Sequence, residues 1–161
     1  MKGTALPEEF EVNPMADASL DHELNGFSAH ARFDGVDWST VPDSGGVYVI
    51  YDHDEVVYVG MAGRDGRGSL RRRLRDHASG QVVNMFAQYL FLARVQFTLP
   101  EPVRHPRAAK KACHDYISRR CSFRCRSVEN AAEARALENR LKRVLQPALN
   151  ATDGPSDGND A

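Results

Sequence analysis

GVYVIYDHDEVVYVG, residues 46–60, decides how this chain is read. β-Branched and aromatic residues run on both sides of Asp52-His53-Asp54, and a glycine closes each end. Two such runs around a short polar turn spell a β-hairpin. A tyrosine stands just inside each end, Tyr48 and Tyr58, and a hairpin requires neither phenol. The two are an even number of residues apart. A turn of odd length would pair them directly on one face, whereas a turn of two or four residues would put them on opposite faces. A shared site therefore predicts the odd turn.

Outward from the hairpin the pattern stays legible. The glycine-rich turn GMAGRDGRG follows, then a helix with Ser69 as N-cap, LRRRLRDHAS as body and Gly80 as stop. VVNMFAQYLFL reads as a second helix, ARVQFTL as a strand and PEPVRHP as a loop. In RAAKKACHDYISRR, Ala109, Ala112, Cys113, Tyr116 and Ile117 recur at helical spacing. Residues 121–128 alternate like a strand. Asn130 caps a last helix, with Glu133 in the capping-box position and an apolar face of Ala134, Leu137, Leu141, Val144 and Leu145. Pro147 stops it.

The net charge of −1 conceals a division. Residues 1–44 hold nine acids and two bases, residues 45–150 ten acids and nineteen bases, and residues 151–161 three acids. A strongly basic centre wants an anionic partner, and nucleic acid is the commonest. Residues 1–40 read as an acidic arm, partly disordered, which could lie over the basic face and compete with that partner. Residues 151–161 read as a disordered tail. One domain spans residues 41–150. No apolar run approaches the roughly 18 residues of a membrane span, and no signal peptide is visible. The expectation is a cytoplasmic protein with no membrane association.

Cys113, Cys121 and Cys125 are too few, and odd in number, for a disulfide scaffold. Cys121 and Cys125 lie four apart on a strand, about 13 Å at roughly 3.3 Å per residue. They could not share a zinc ion, whose bonds to sulfur are about 2.3 Å. Buried thiols are expected.

Polar residues sit in unusual places elsewhere. Arg73 and His77 are four apart on the first helix, flanked by Leu70 and Leu74 at its buried edge. Glu138 lies against the apolar stripe of the last helix, where a lone carboxylate is costly unless a metal or an arginine meets it. Asn150 follows the proline stop. Taken singly, each has an ordinary reading: sheet aromatics, a solvated arginine, a helix-end histidine, a glutamate paired with Arg135 or Lys142, a cap residue.

Taken together they resemble the GIY-YIG nucleases. GVY at 46–48 looks like the GIY element and YVG at 58–60 like YIG. LRRRLRDH is similar to the family's first helix, in which an arginine precedes a tyrosine or histidine by four residues. ALENRLKRVLQPALN is similar to its closing segment, with Glu138 and Asn150 twelve apart as in the family. The lysine that some members carry after YIG is Met61 here, and residues 81–120 match nothing assigned and read as a lineage-specific helical insertion.

The resemblance implies a small α/β domain with an antiparallel three-stranded sheet flanked by helices. It implies a metal-dependent endonuclease that hydrolyses phosphodiesters in DNA to 5′-phosphate and 3′-hydroxyl ends. Glu138 would hold Mg²⁺ or Mn²⁺, and Arg73 the scissile phosphate. His77, Tyr48 and Tyr58 would order and deprotonate the attacking water, with Tyr48 favoured as base. Asn150 would hold the site together, with Gly46 and Gly60 as structural neighbours and Gly60 letting backbone pass close to the metal. Arg64, Arg67, Arg71, Arg72 and Arg75 would contact nucleic acid, and a second basic patch includes Lys110 and Lys111. Restriction or phage defence, mobile-element biology and repair all remain open, as do an RNA substrate, a non-catalytic binding module, a homodimer and a recruiting protein.

Overall fold

The computed structural model describes residues 20–63 and 67–150. The hairpin consists of β2 (Gly46–Asp52) and β3 (Glu55–Ala62), and its turn is the two residues His53 and Asp54. The expected odd turn is therefore not what is built. Asp52 pairs with Glu55 and Tyr51 with Val56, but Ile50 pairs with Tyr58, so Val57 is an extra residue in a β-bulge. The bulge shifts the register by one and returns Tyr58 to the face of Tyr48. Tyr48 pairs with Gly60 rather than with Tyr58, so the phenols meet diagonally.

The sheet has four antiparallel strands in the order β1-β4-β2-β3, where β1 is Ala31–Arg32 and β4 is Cys121–Ser127. The expected count was three. The fourth comes from the stretch read as an acidic arm, whose two residues pair with Phe123 and Ser122. A two-residue strand leaves no period to detect in sequence.

Helices cover both faces, so β2 is buried along all seven residues. On one face, α1 (Leu70–Ala78), α2 (Met85–Ala93) and α3 (Pro106–Arg120) pack over Tyr48, Ile50, Phe123 and their neighbours. On the other, α4 (Ala131–Leu145) and the segment around Leu24 cover Val47, Val49, Tyr51, Val59 and Met61. Asp21 and Glu23 pair there with Arg124 and Arg140. The caps fall where the sequence puts them, at Ser69 and Asn130, and Gly80 leaves α1 at φ 71°. Two local readings differ. Val95–Thr98 forms a 3-10 turn rather than a strand, with only Val95 buried. Val144, placed on the apolar face of α4, is 48% exposed.

The three cysteines are free and buried. Burial pushes the Cys113 thiol up to about 11 and the Cys121 thiol up to about 12, so both stay protonated. Among the described residues no helix is long and apolar enough to cross a membrane.

Asp52 is a buried carboxylate that the sequence reading passed over. It accepts hydrogen bonds from Tyr116 at 2.5 Å, Arg94 at 2.9 Å and Arg120 at 3.2 Å. Burial pushes its carboxyl up, but these three donors outweigh that and hold it below the usual carboxylate range. The network ties the hairpin's tip to the helical layer.

Candidate active site

A cleft of about 540 Å³ opens beside β3. Tyr48, Tyr58, Gly60, Arg67, Arg72, Arg73 and Glu138 line it, together with Ser69, Asp76 and Met85, which sequence reasoning had not selected. These residues come from β2, β3, the turn that follows, α1, α2 and α4. Glu138 belongs to the helix on the opposite face of the sheet from Tyr48, and β3 is an edge strand, so the two layers approach each other around it.

Tyr48 is 1% exposed. Its ring lies over Gly60, where an added Cβ would strike Oη and Cζ. Gly60 therefore makes room for the phenol. The Tyr48 and Tyr58 rings stack loosely, with centroids 6.4 Å apart. Tyr48 Oη and His77 Nε2 share a hydrogen bond of 2.7 Å. Burial pushes the Tyr48 hydroxyl well above its usual range, Tyr58 adds to this, and the charge and hydrogen bond of Arg73 oppose it.

Leu70, Leu74 and His77 form the buried face of α1. His77 is fully buried, and it does not line the cleft. Burial and the nearby Arg73 cation press its imidazole down to about 3, so the ring is neutral. Its Nδ1 meets no partner in hydrogen-bond geometry, although the Asn84 side chain is near enough to favour the cation slightly. Phe86 packs edge-on against the ring with centroids 5.1 Å apart. His77 thus stands behind Tyr48, outside the cleft.

Burial works against the Arg73 cation, but Tyr48, Tyr58 and Asp76 outweigh it and hold Arg73 charged. Three arginines, Arg71 to Arg73, occupy the first turn of α1, which has no acidic residue. That is the positive end of the helix dipole, where cations are unfavourable and anions favourable.

Glu138 is 5% exposed, and Lys142 Nζ lies 2.9 Å from its Oε1. The ordinary pairing considered from sequence is therefore present, but on a buried carboxylate that faces the cleft. Among the described residues no cluster of three His, Cys, Asp or Glu side chains could hold a metal ion. Glu138 and Asp76 line the same cleft, and a carboxylate or two suits a hard cation such as Mg²⁺ that keeps most of its water.

Asn150 lies outside the cleft. Its amide clips onto the free edge of β3, accepting from Val59 N and donating to Val59 O, both at 2.8 Å. Leu149 N adds a bond to Val57 O at the bulge. Gly46 is pressed between the Arg126 carbonyl and Leu70, with no room for a Cβ. Arg71 donates to the Val41 carbonyl at 2.9 Å, and Arg75 lies 5.5 Å from the centre of the Trp38 ring. Both thus fasten α1 to the segment before the hairpin. Lys110 and Lys111 lie on α3 away from the cleft, and Lys111 pairs with Asp115. Arg64 lies outside the described residues.

No family model matches this chain, and no curated protein matches it. Among solved structures it is similar to the GIY-YIG N-terminal endonuclease domain of UvrC from Thermotoga maritima bound to magnesium, at 21% identity. The match covers 71% of this chain and 91% of that one, with a TM-score of 0.40. A tyrosine-to-phenylalanine point mutant of the same domain, bound to its divalent cation, matches with the same figures.

Proposed function

We propose that this chain is a metal-dependent endonuclease of the GIY-YIG kind, which hydrolyses phosphodiester bonds in DNA and leaves 5′-phosphate and 3′-hydroxyl ends. One observation carries the reading. Tyr48, Tyr58, Arg73 and Glu138, chosen from sequence on four separate elements, line a single cleft. The arginine-loaded first turn of α1 agrees with it, since that local disfavour is relieved when a phosphate arrives.

Phosphoryl transfer needs positioning and charge more than covalent chemistry from the protein. Arg73 binds the scissile phosphate, and Arg67 and Arg72 hold flanking phosphates. Glu138 holds the divalent cation. When bound there, Mg²⁺ or Mn²⁺ would polarise the phosphate, stabilise the leaving oxygen and add positive charge beside Tyr48.

Tyr48 takes the proton from the attacking water once its own phenol proton has passed to solvent in the cleft that it lines. His77 and Arg73 prepare that state. His77 Nε2 shares a hydrogen bond with Tyr48 Oη and holds the phenol in place, while Arg73 donates to the same oxygen and sets its positive charge beside it. A donated hydrogen bond and a nearby cation favour the phenol's anion against the effect of burial. Tyr58 orders the water from the cleft side. Asn150 acts through β3, fixing the strand between Tyr58 and Gly60.

The test is supercoiled plasmid with Mg²⁺ or Mn²⁺, wild type beside Glu138→Ala. Nicking or linearisation by wild type alone is the expected result. Failure of wild type to cut DNA or RNA with either cation would overturn the enzyme reading and leave a nucleic-acid-binding module.

A further inference from the structure

The segment from 81 to 120 carries no residue that the family resemblance assigns, yet α2 supplies part of the site's wall. Asn84 caps it, accepting from Ala87 N at 2.8 Å, and so fixes where its first turn begins. Met85 then faces the cleft, while Phe86 turns inward and is fully buried. The Phe86 ring lies 5.2 Å from that of Tyr58 and 5.1 Å from that of His77. Those two rings are themselves 5.8 Å apart and nearly perpendicular. Phe86 is thus the third corner of an aromatic triangle, and Tyr48 packs against the other two corners and is hydrogen-bonded to His77.

We infer that Phe86 is a positioning residue of the site, whose ring holds Tyr58 toward the cleft and His77 against Tyr48. Tyr48 packs against the same two rings, with centroids 6.4 Å from Tyr58 and 5.3 Å from His77, and Phe86 closes the cluster from α2. Tyr58 is partly buried, and His77 is hydrogen-bonded to Tyr48 through Nε2. Tilted and edge-on ring contacts are directional, which those of an aliphatic side chain are not. A branched aliphatic residue would fill much of the volume and leave both rings room to turn. The catalytic consequence rests on the nuclease reading. The packing claim does not.

The test uses the full chain with Phe86→Leu, with Phe86→Met as a second variant should the first fold poorly. Leu90→Ala serves as control, because Leu90 is on the same helix and equally buried. Nuclear Overhauser contacts between the His77 and Tyr58 rings are measured first, then cleavage of plasmid DNA with Mg²⁺. The Phe86 variants should lose the ring contacts and about tenfold to hundredfold in kcat with KM unchanged, the size expected when a reacting group is misplaced by about an ångström. Leu90→Ala should lose stability but keep both contacts and kcat. Retained ring contacts in both Phe86 variants would overturn the inference whatever cleavage does, as would an equal kcat loss in Leu90→Ala. If wild type cuts no nucleic acid, the nuclease reading fails separately and the ring contacts still decide.

Discussion

Acid should expose His77 as a linkage site. The imidazole ordinarily titrates near 6.5, and the fold presses it down to about 3. The folded state thus refuses a proton that the unfolded chain accepts. Stability from this group is fully present above the unfolded value, near pH 6.5, and falls as pH drops toward 3. Each unit of difference is about 1.4 kcal/mol, so between pH 7 and pH 4.5 the loss comes to about 2.5 kcal/mol. The perturbation is His77→Gln, which can still hydrogen-bond to Tyr48 but does not titrate. Urea midpoints at pH 7, 6, 5 and 4.5 for both proteins give the two slopes. Taking the difference between the proteins cancels the carboxylates and the other histidines. Wild type should lose about 2.5 kcal/mol more than His77→Gln over that range. Parallel pH profiles would refute the reasoning, because they would mean that His77 accepts a proton in the folded state.

Other consequences are simpler to check. Asn150→Ala strips both hydrogen bonds from Val59 and should cost about 1–3 kcal/mol in chemical unfolding, with faster hydrogen exchange along β3. Gly60→Ala drives a methyl group into the Tyr48 phenol and should cost about 1–3 kcal/mol while abolishing cleavage, seen by thermal unfolding and the plasmid assay together. Asp52→Asn loosens the hairpin's tip from Arg94 and Arg120. Because both arginines keep part of their water, the cost should be about 2 kcal/mol, below the roughly 3–5 of a fully buried pair. Since the Asp52 carboxyl is held low, that cost should be present at neutral pH and shrink as acid protonates wild type, which unfolding at several pH values would show.

What the sequence determined by itself is the set of local elements and their edges. Ser69, Asn130 and Gly80 end helices because caps and left-handed turns depend on a few neighbouring residues. The hairpin is written by its alternating runs and polar turn, and the face shared by Arg73 and His77 follows from a spacing of four. Unusual polar positions, read together with the resemblance to the GIY-YIG nucleases, picked out Tyr48, Tyr58, Arg73 and Glu138, which the fold brings to one cleft. Register and burial were decided elsewhere. No local rule announces the bulge at Val57, yet it alone puts both phenols on one face, because the strands settle their pairing against helices on either side. A two-residue edge strand leaves no period to read. That His77 lies buried against Tyr48, and that Gly60 leaves space for the Tyr48 ring, follow from packing alone. Phe86 and Asp52 carried no signal, since each is defined by what distant elements bring against it. Chain spacing fixes which side chains share a helix or strand face. Only the packing of those faces fixes which of them meet, and how much water they keep.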